Sequence, residues 1–333
     1  MKKVLSLILA LAMVFALAAC GEKQPSNDGN TDGDKPPRGN VIMTFGTADT
    51  GGSMYPAGAA VSQVWTNNVQ GVKCNTQTST GSFQNCQDVS TGEVDVAVAT
   101  SDVVLNAYNG TGKFADIGKL DNLRVIGAVY TSVLSGVALK SSGLTCIHDL
   151  LGKRVAVGPA ASATENATLA AFGVMGIDSS NTSLENLGLG DGADSVGDGI
   201  LDAAFGFAGL PIGGQLNLAA TKEIQVLDMT QEEIDKVLAG NAAYIQTTIP
   251  AGTYTGQTET ANTFGVKCLI IVTADMDADL VYDLCKAMNE HTEEMAAGNA
   301  LLKDMTDPSF LCTQMPIPLH DGAQKYYSEQ GLI

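Results

Sequence analysis

Three short segments carry the groups that could do chemistry: GTADTGGSMYP (46–56), STGSFQN (79–85) and GPAASATEN (158–166). Each is built largely from Gly, Ala, Ser and Thr, and each leads from a strand-like run into a helical pattern. The first turn of a helix has N–H groups without intrahelical partners and carries the positive end of the helix dipole. Small side chains let a ligand reach that backbone, and hydroxyls add donors. Such loops can hold an anion without Arg or Lys. Singly, each is accounted for by ordinary N-capping; three in one chain point to a ligand. Covalent catalysis has less footing. An enzyme needs a nucleophile with a base, or a metal cluster. His148, His291 and His320 are the only histidines, and none is near another titratable cluster by spacing. GxSxG, HExxH and P-loop patterns are missing. A hydrolase using Ser53 or Ser82 is the enzymatic alternative. The expectation is no catalytic residue, no metal set and no cofactor.

The elements that must position these loops alternate. Val41 to Phe45 reads as a strand, and Ala59 to Val69 as a helix with Val61, Val64, Trp65 and Val69 on one face. Val72 to Thr78 is a strand, followed by a helix to about Ser90 and a strand over Val94 to Ala99. Ser101-Asp102 can cap the next helix. Further on come a short helix at Ile147 to Leu150, a strand at Arg154 to Val157, a helix to about Phe172 and a strand at Thr182 to Leu187. Val266 to Thr273 is a strongly apolar strand before a helix spanning about Ala278 to Ala297. This pattern implies an α/β fold with largely parallel strands. STGEVDVAVATSD (90–102) and VGDGILDAAFGFAG (196–209) echo each other as helix end, Gly-x-x-Asp and buried strand. Either two lobes share one construction, or the motif is a common helix-to-strand joint. Two lobes joined by two crossings leave a cleft, where small ligands bind.

The N-terminus indicates export. Lys2 and Lys3 precede an apolar run from Val4, and Leu17-Ala18-Ala19 stands directly before Cys20. The run is shorter than the roughly 20 residues a spanning helix needs, so it reads as a signal segment. Residues 21 to 40 contain no large apolar side chain and read as a flexible tether. The formal charge of -18 excludes nucleic acid as a natural partner, and an anionic solute would gain nothing from long-range attraction. Export permits disulfides among Cys74, Cys86, Cys146, Cys268, Cys285 and Cys312, but no zinc-type spacing appears. Cys268 and Cys285 sit in apolar patterns and read as buried thiols.

Nine segments, in this order and spacing, resemble the TAXI family of solute receptors that serve TRAP-type transporters: GTADTGGSMYPAG, STGSFQN, TGEVDVAVATSD, AYNGTGKF, LRVIGAVY, LGKRVAVGPAASATE, FGFAGLP, IPAGTYTGQ and MPIPLHDGAQKYYSEQGL. The Leu-Ala-Ala-Cys junction likewise resembles a lipoprotein signal, with Cys20 lipidated. The resemblance implies a two-lobed type II periplasmic-binding-protein fold with the ligand cleft between the lobes. The implied division is signal peptide 1–19, tether 20–40, lobe one 41–135 with 262–333, and lobe two 136–261. It implies an extracytoplasmic receptor, held to the membrane by its lipid, that passes a small organic acid or amino acid, glutamate-like, to a TRAP permease. A ligand-sensing surface lipoprotein of the same fold is the alternative. By position, Thr50, Gly51, Gly52 and Tyr55 would form the first ligand loop and Thr80, Gly81, Ser82 and Asn85 the second. Ser101 and Asp102 match the strand end beneath them, Ser162 and Thr164 the lobe-two loop, and Gly209 and Pro211 the loop facing the hinge. Tyr55 either meets the solute or packs on Pro56, and Asp102 either accepts from a ligand amine or serves as a cap. His320 reads as structural. Ala48, Thr100, Ala161 and Ala163 depart from the family pattern, which places glycine at the alanine positions and often Gln where Thr100 stands. An added methyl restricts backbone approach and positive φ.

Overall fold

The computed structural model describes residues 39–50 and 52–333. The expected signal peptide, Cys20 and nearly all of the tether lie outside them, as does Gly51. Three parallel strands open the fold: β1 (Val41–Gly46), β2 (Val72–Gln77) and β3 (Val96–Thr100), with β1 paired to both others. Helices α1 (Met54–Asn68) and α2 (Ser82–Thr91) connect them, and α3 (Ser101–Asn109) follows. Helix α1 starts at Met54, not at Ala59, because Pro56 falls in its first turn, where no amide hydrogen is missed.

Strand β4 (Leu123–Leu139) then runs for 17 residues. Nearly all of it is buried, which is why LRVIGAVYTSVLSGVAL is apolar and small without alternating. A second set follows: β5 (Arg154–Ala156), α4 (Ala163–Val174), β6 (Ser183–Glu185), α5 (Leu189–Gly197), β7 (Ala203–Ala208), α6 (Gly213–Thr221) and β8 (Ile224–Val226). Helix α7 (Gln231–Gly240) and strand β9 (Ile245–Ile249) lead to the long return strand β10 (Ala261–Thr273). The chain ends in α8 (Ala278–Glu290), α9 (Thr292–Gly298), α10 (Pro308–Cys312) and α11 (Asp321–Glu329). The one long helix expected after β10 is thus two, broken where His291 leaves helical geometry at φ -116 and ψ 19.

Strand order is β2-β1-β3-β10-β4-β7-β5-β6, with β8 also on β4 and β9 also on β10. The first half reads β2-β1-β3-β10-β4 and the second β6-β5-β7-β4-β8. Each has a parallel set in the order second, first, third, then one antiparallel strand, then one more. In each half the antiparallel strand is shared with the other half. β4 pairs with β10 up to Val133 and with β7 from Val133 to Ala138. β10 pairs with β9 over Ala261 to Gly265 and with β3 over Cys268 to Ile271. The two strands cross closely: a Cβ on Gly265 would lie 2.4 Å from the Ser132 carbonyl oxygen, so only glycine fits. This is the two-lobed α/β arrangement that the resemblance implies.

The echoed Gly-x-x-Asp segments do the same work in both halves. Asp95 accepts from the Thr44 amide at 2.7 Å while its own amide donates to Thr44 O at 3.2 Å. Asp202 accepts from the Arg154 amide at 2.8 Å while its amide donates to Arg154 O at 2.8 Å. Each aspartate holds the entry of the third strand to the first, which favours shared construction over a chance joint. Asp95→Ala and Asp202→Ala should each lower stability by about 1 kcal/mol, read as a shifted urea midpoint with unchanged slope. No shift in either variant would leave the echo without physical content.

Each half has an apolar cluster of its own, and a third cluster runs continuously through both, from Val94 and Ala97 to Phe172 and Ala203. In the first half's own cluster, Trp65 is fully buried, stacks on Phe45 with centroids 5.5 Å apart and donates from Nε1 to Leu284 O at 3.0 Å. The six cysteines among the described residues are free thiols, and all but Cys146 are buried. His320 is buried and caps α11, its Nδ1 accepting from the Gly322 amide at 3.1 Å. Among the described residues no helix is long and apolar enough to cross a membrane.

Candidate functional site

A parallel strand followed by a helix puts the strand's carboxyl end and the helix's amino end at one edge. Both halves turn those edges toward the same cavity, of about 790 Å³. Its lining includes the starts of five helices: Ser53 and Met54 (α1), Gly81 and Ser82 (α2), Ser162 to Thr164 (α4), Gly188 to Asp191 (α5), and Gly213 and Gly214 (α6). Four of the five lack a side-chain cap; only at α4 does a side chain, Ser162 Oγ, accept from the helix, from the Glu165 amide at 3.1 Å. First-turn amides at the other four starts are not taken up by the capping residue's side chain. Asp49 and Asp191 also line the cavity, and among its lining residues there is no Lys, Arg or His. Tyr130, Phe207 and Leu189 supply apolar wall.

Of the expected site residues, Gly52, Thr80, Gly81, Ser82, Ser162 and Thr164 line the cavity. Several are held by one another's loops. Ser82 Oγ accepts from the Thr100 amide at 3.1 Å, and Thr164 Oγ1 accepts from the Phe207 amide at 3.2 Å. The Gly81 amide donates to Ser79 Oγ at 2.9 Å, and the Thr80 amide to Gln84 Oε1 at 2.9 Å. Ala161 adopts φ 60, so the loop keeps a left-handed turn although it carries alanine where the family pattern has glycine.

Thr50, Tyr55, Asn85, Ser101, Asp102, Gly209 and Pro211 do not line the cavity, and Gly51 is outside the described residues. Asn85 is buried behind the second loop and donates to Thr47 O at 2.6 Å and Val98 O at 2.7 Å, tying two strand ends together. Ser101 is buried at the start of α3, and Tyr55 is half-buried in the first turn of α1. Thr50 and Pro211 are exposed. Gly209 joins the halves: its amide donates to Ser53 Oγ at 3.1 Å. Asp102 joins them too. It is fully buried, and its Oδ2 accepts from Asn166 Nδ2 at 2.9 Å and from the Tyr244 hydroxyl at 3.3 Å. Burial pushes the Asp102 carboxyl up from its ordinary range, against the hydrogen bonds that hold it down. A third link is Lys113 Nζ to Glu165 Oε2 at 2.5 Å.

The sequence reading missed the starts of α5 and α6. Their signal was present in NLGLGDGAD (186–194) and PIGGQ (211–215), glycine-rich stretches at strand-to-helix joints like the other three. Trp65 is buried in the first half's core and does not line the cavity. Its emission maximum should stay fixed, within a few nanometres, on saturation with solute; a larger shift would mean that the core of this half repacks. Among the described residues one set of Cys, His and acidic side chains lies within metal-binding reach, Cys146, His148 and Asp149, and none of the three lines the cavity.

Among solved structures, the chain is similar to a protein of Bordetella bronchiseptica RB50 (TM-score 0.50, 12% identity, 87% of this chain and 98% of that one). It also matches the alkanesulfonate-binding protein SsuA from Xanthomonas axonopodis pv. citri (TM-score 0.47, 14% identity, 88% and 85%). A putative L-cystine ABC transporter from Listeria monocytogenes matches as well (TM-score 0.46, 16% identity, 81% and 95%). These are likenesses of fold. A family model described as the NMT1-like family matches residues 45–331, from β1 to the last helix. With both halves and every cavity loop inside that match, this chain belongs to the NMT1-like family.

Proposed function

We propose that this chain is an extracytoplasmic solute receptor that captures a small amino acid, with small organic acids as the neighbouring class, and delivers it to a TRAP-type permease. The observation that carries the reading is a cavity with five helix starts and two carboxylates but, among the described residues, no basic side chain in its lining. Helix amides favour a carboxylate without Lys or Arg, and Asp49 and Asp191 favour an ammonium group on the same molecule. A zwitterion satisfies both. The residues meeting the solute are Gly52, Thr80, Gly81, Ser82, Ser162 and Thr164, with Thr50, Gly51 and Tyr55 completing the first loop. Asn85, Ser101, Asp102, Gly209 and Pro211 hold the loops and halves in place. Cys20 carries the lipid that keeps the receptor at the membrane.

Calorimetry of the purified chain against the common amino acids and their deaminated analogues tests the solute class. An amino acid should bind one to one, and more tightly than the acid lacking its amine. Heat from none of them, or tighter binding of the deaminated acids, overturns the amino-acid reading. Uptake into vesicles holding the permease should follow an imposed ion gradient; dependence on ATP instead would exclude a TRAP partner. Cys20→Ser should move the protein from the membrane to the soluble fraction, and a membrane-bound variant would defeat the lipid assignment.

A further inference from the structure

Outside the cavity lining, the loop after β4 gathers a thiol, an imidazole and a carboxylate. Residues Ile147–Leu150 form a single turn of 3-10 helix. On it, His148 Nε2 lies 3.1 Å from Cys146 Sγ and 4.0 Å from Asp149 Oδ1. A thiol, an imidazole nitrogen and a carboxylate oxygen therefore come within 4.8 Å of one another. The backbone fixes this arrangement: Asp149 Oδ2 accepts from the Thr145 amide at 2.9 Å and the Cys146 amide at 3.2 Å, which turns Oδ1 toward His148. The imidazole is fixed from behind. Its Nδ1 lies 3.1 Å from Glu233 Oε1, and Glu233 is anchored at the head of α7, where its Oε2 accepts from the Thr230 amide at 2.8 Å. A proton on Nδ1 directed at Glu233 leaves the Nε2 lone pair facing the thiol.

We propose that Cys146, His148 and Asp149 form a surface site for a divalent transition-metal ion of the Zn2+ type, with Glu233 orienting His148. One sulfur, one nitrogen and one oxygen ligand suit a borderline ion such as Zn2+ better than Mg2+ or Ca2+. Three protein ligands leave the fourth tetrahedral position to water. Binding takes the thiolate form of Cys146, so one proton is released to solvent as the metal–sulfur bond forms. A carboxylate on the distal nitrogen of a ligating histidine is a recurrent way of fixing its tautomer. Cys146, His148 and Asp149 stand within four residues of one another, but Cys-x-His-Asp is not one of the usual zinc spacings, and Glu233 stands 85 positions from His148.

Co2+ titrated into the purified full-length chain reads the site directly, since thiolate coordination gives an intense near-ultraviolet charge-transfer band. The expected result is a band saturating at one Co2+ per chain and displaced by Zn2+. It should vanish in Cys146→Ser and in His148→Ala, whose side chain is exposed. Glu233→Gln should keep the band and weaken affinity about 10–100-fold. No band in the wild type, a band that survives Cys146→Ser, or unchanged affinity in His148→Ala overturns the site. Unchanged affinity in Glu233→Gln overturns the orienting role. None of these readings depends on the solute.

Discussion

Gly81→Val should weaken solute binding by at least about 100-fold and lower the melting temperature by no more than about 10 °C. Gly81 caps α2 at φ 111 and ψ -156, a backbone state that costs a β-branched residue about 1–3 kcal/mol. That strain alone shifts the melting of a chain this size by a few degrees. Binding is more sensitive, for two reasons. Gly81 lines the cavity, and a Cβ built on it would stand in open space with no heavy atom within 4 Å. Relief of the strain also turns the 79–82 backbone, which leads into the first turn of α2, one of the five helix heads. Isothermal titration of the variant against the solute identified for the wild type checks it, with thermal melting alongside. Binding within tenfold of wild type would take the second loop out of the site, whatever its melting temperature.

The two-lobed fold was legible because its carriers are local. Strand, small-residue loop and helix recur with clear periodicity from Val41 to Ala99, and the Gly-x-x-Asp joints repeat in both halves. The loops at 46–56, 79–85 and 158–166 were legible for the same reason: an uncapped or serine-capped helix start has a composition. Long-range consequences were not. Asp102 looks in sequence like any first-turn acid, and only the packing of α4 and Tyr244 against it gives it a role between halves. The α5 start was overlooked because GLGDG follows β6, a strand of only three residues. Strand β4, buried on both faces as it passes from one half to the other, has no alternation to announce its 17 residues.

Asp102→Ala should weaken solute binding about 10–100-fold, chiefly through faster dissociation. Asp102 belongs to α3 of the first half; Asn166 on α4 and Tyr244, just before β9, belong to the second. Removing the carboxyl leaves the Asn166 amide and the buried Tyr244 hydroxyl without this acceptor, and a buried group left unsatisfied costs about 1–3 kcal/mol. If those bonds form only while the halves are together, their loss falls on the joined state that encloses the solute, and about 1.4 kcal/mol is a tenfold change in affinity. Stopped-flow dissociation checks this, and an unchanged off-rate would mean that the contacts persist when the cleft opens. The charge can be tested apart from the shape with Asp102→Asn. Burial raises the Asp102 pKa in the folded chain, so the folded state prefers the protonated carboxyl. Its contribution is fully present below the ordinary aspartate range and is lost as pH rises through the raised value. The melting temperature of Asp102→Asn minus that of wild type should therefore increase as pH climbs above the ordinary aspartate range. Neighbouring Tyr244, Cys86 and Cys268 are pushed up by burial and stay neutral throughout, so the changing difference belongs to Asp102. A pH-independent difference would mean that water reaches this carboxylate in the folded chain and that the junction between halves is open to solvent.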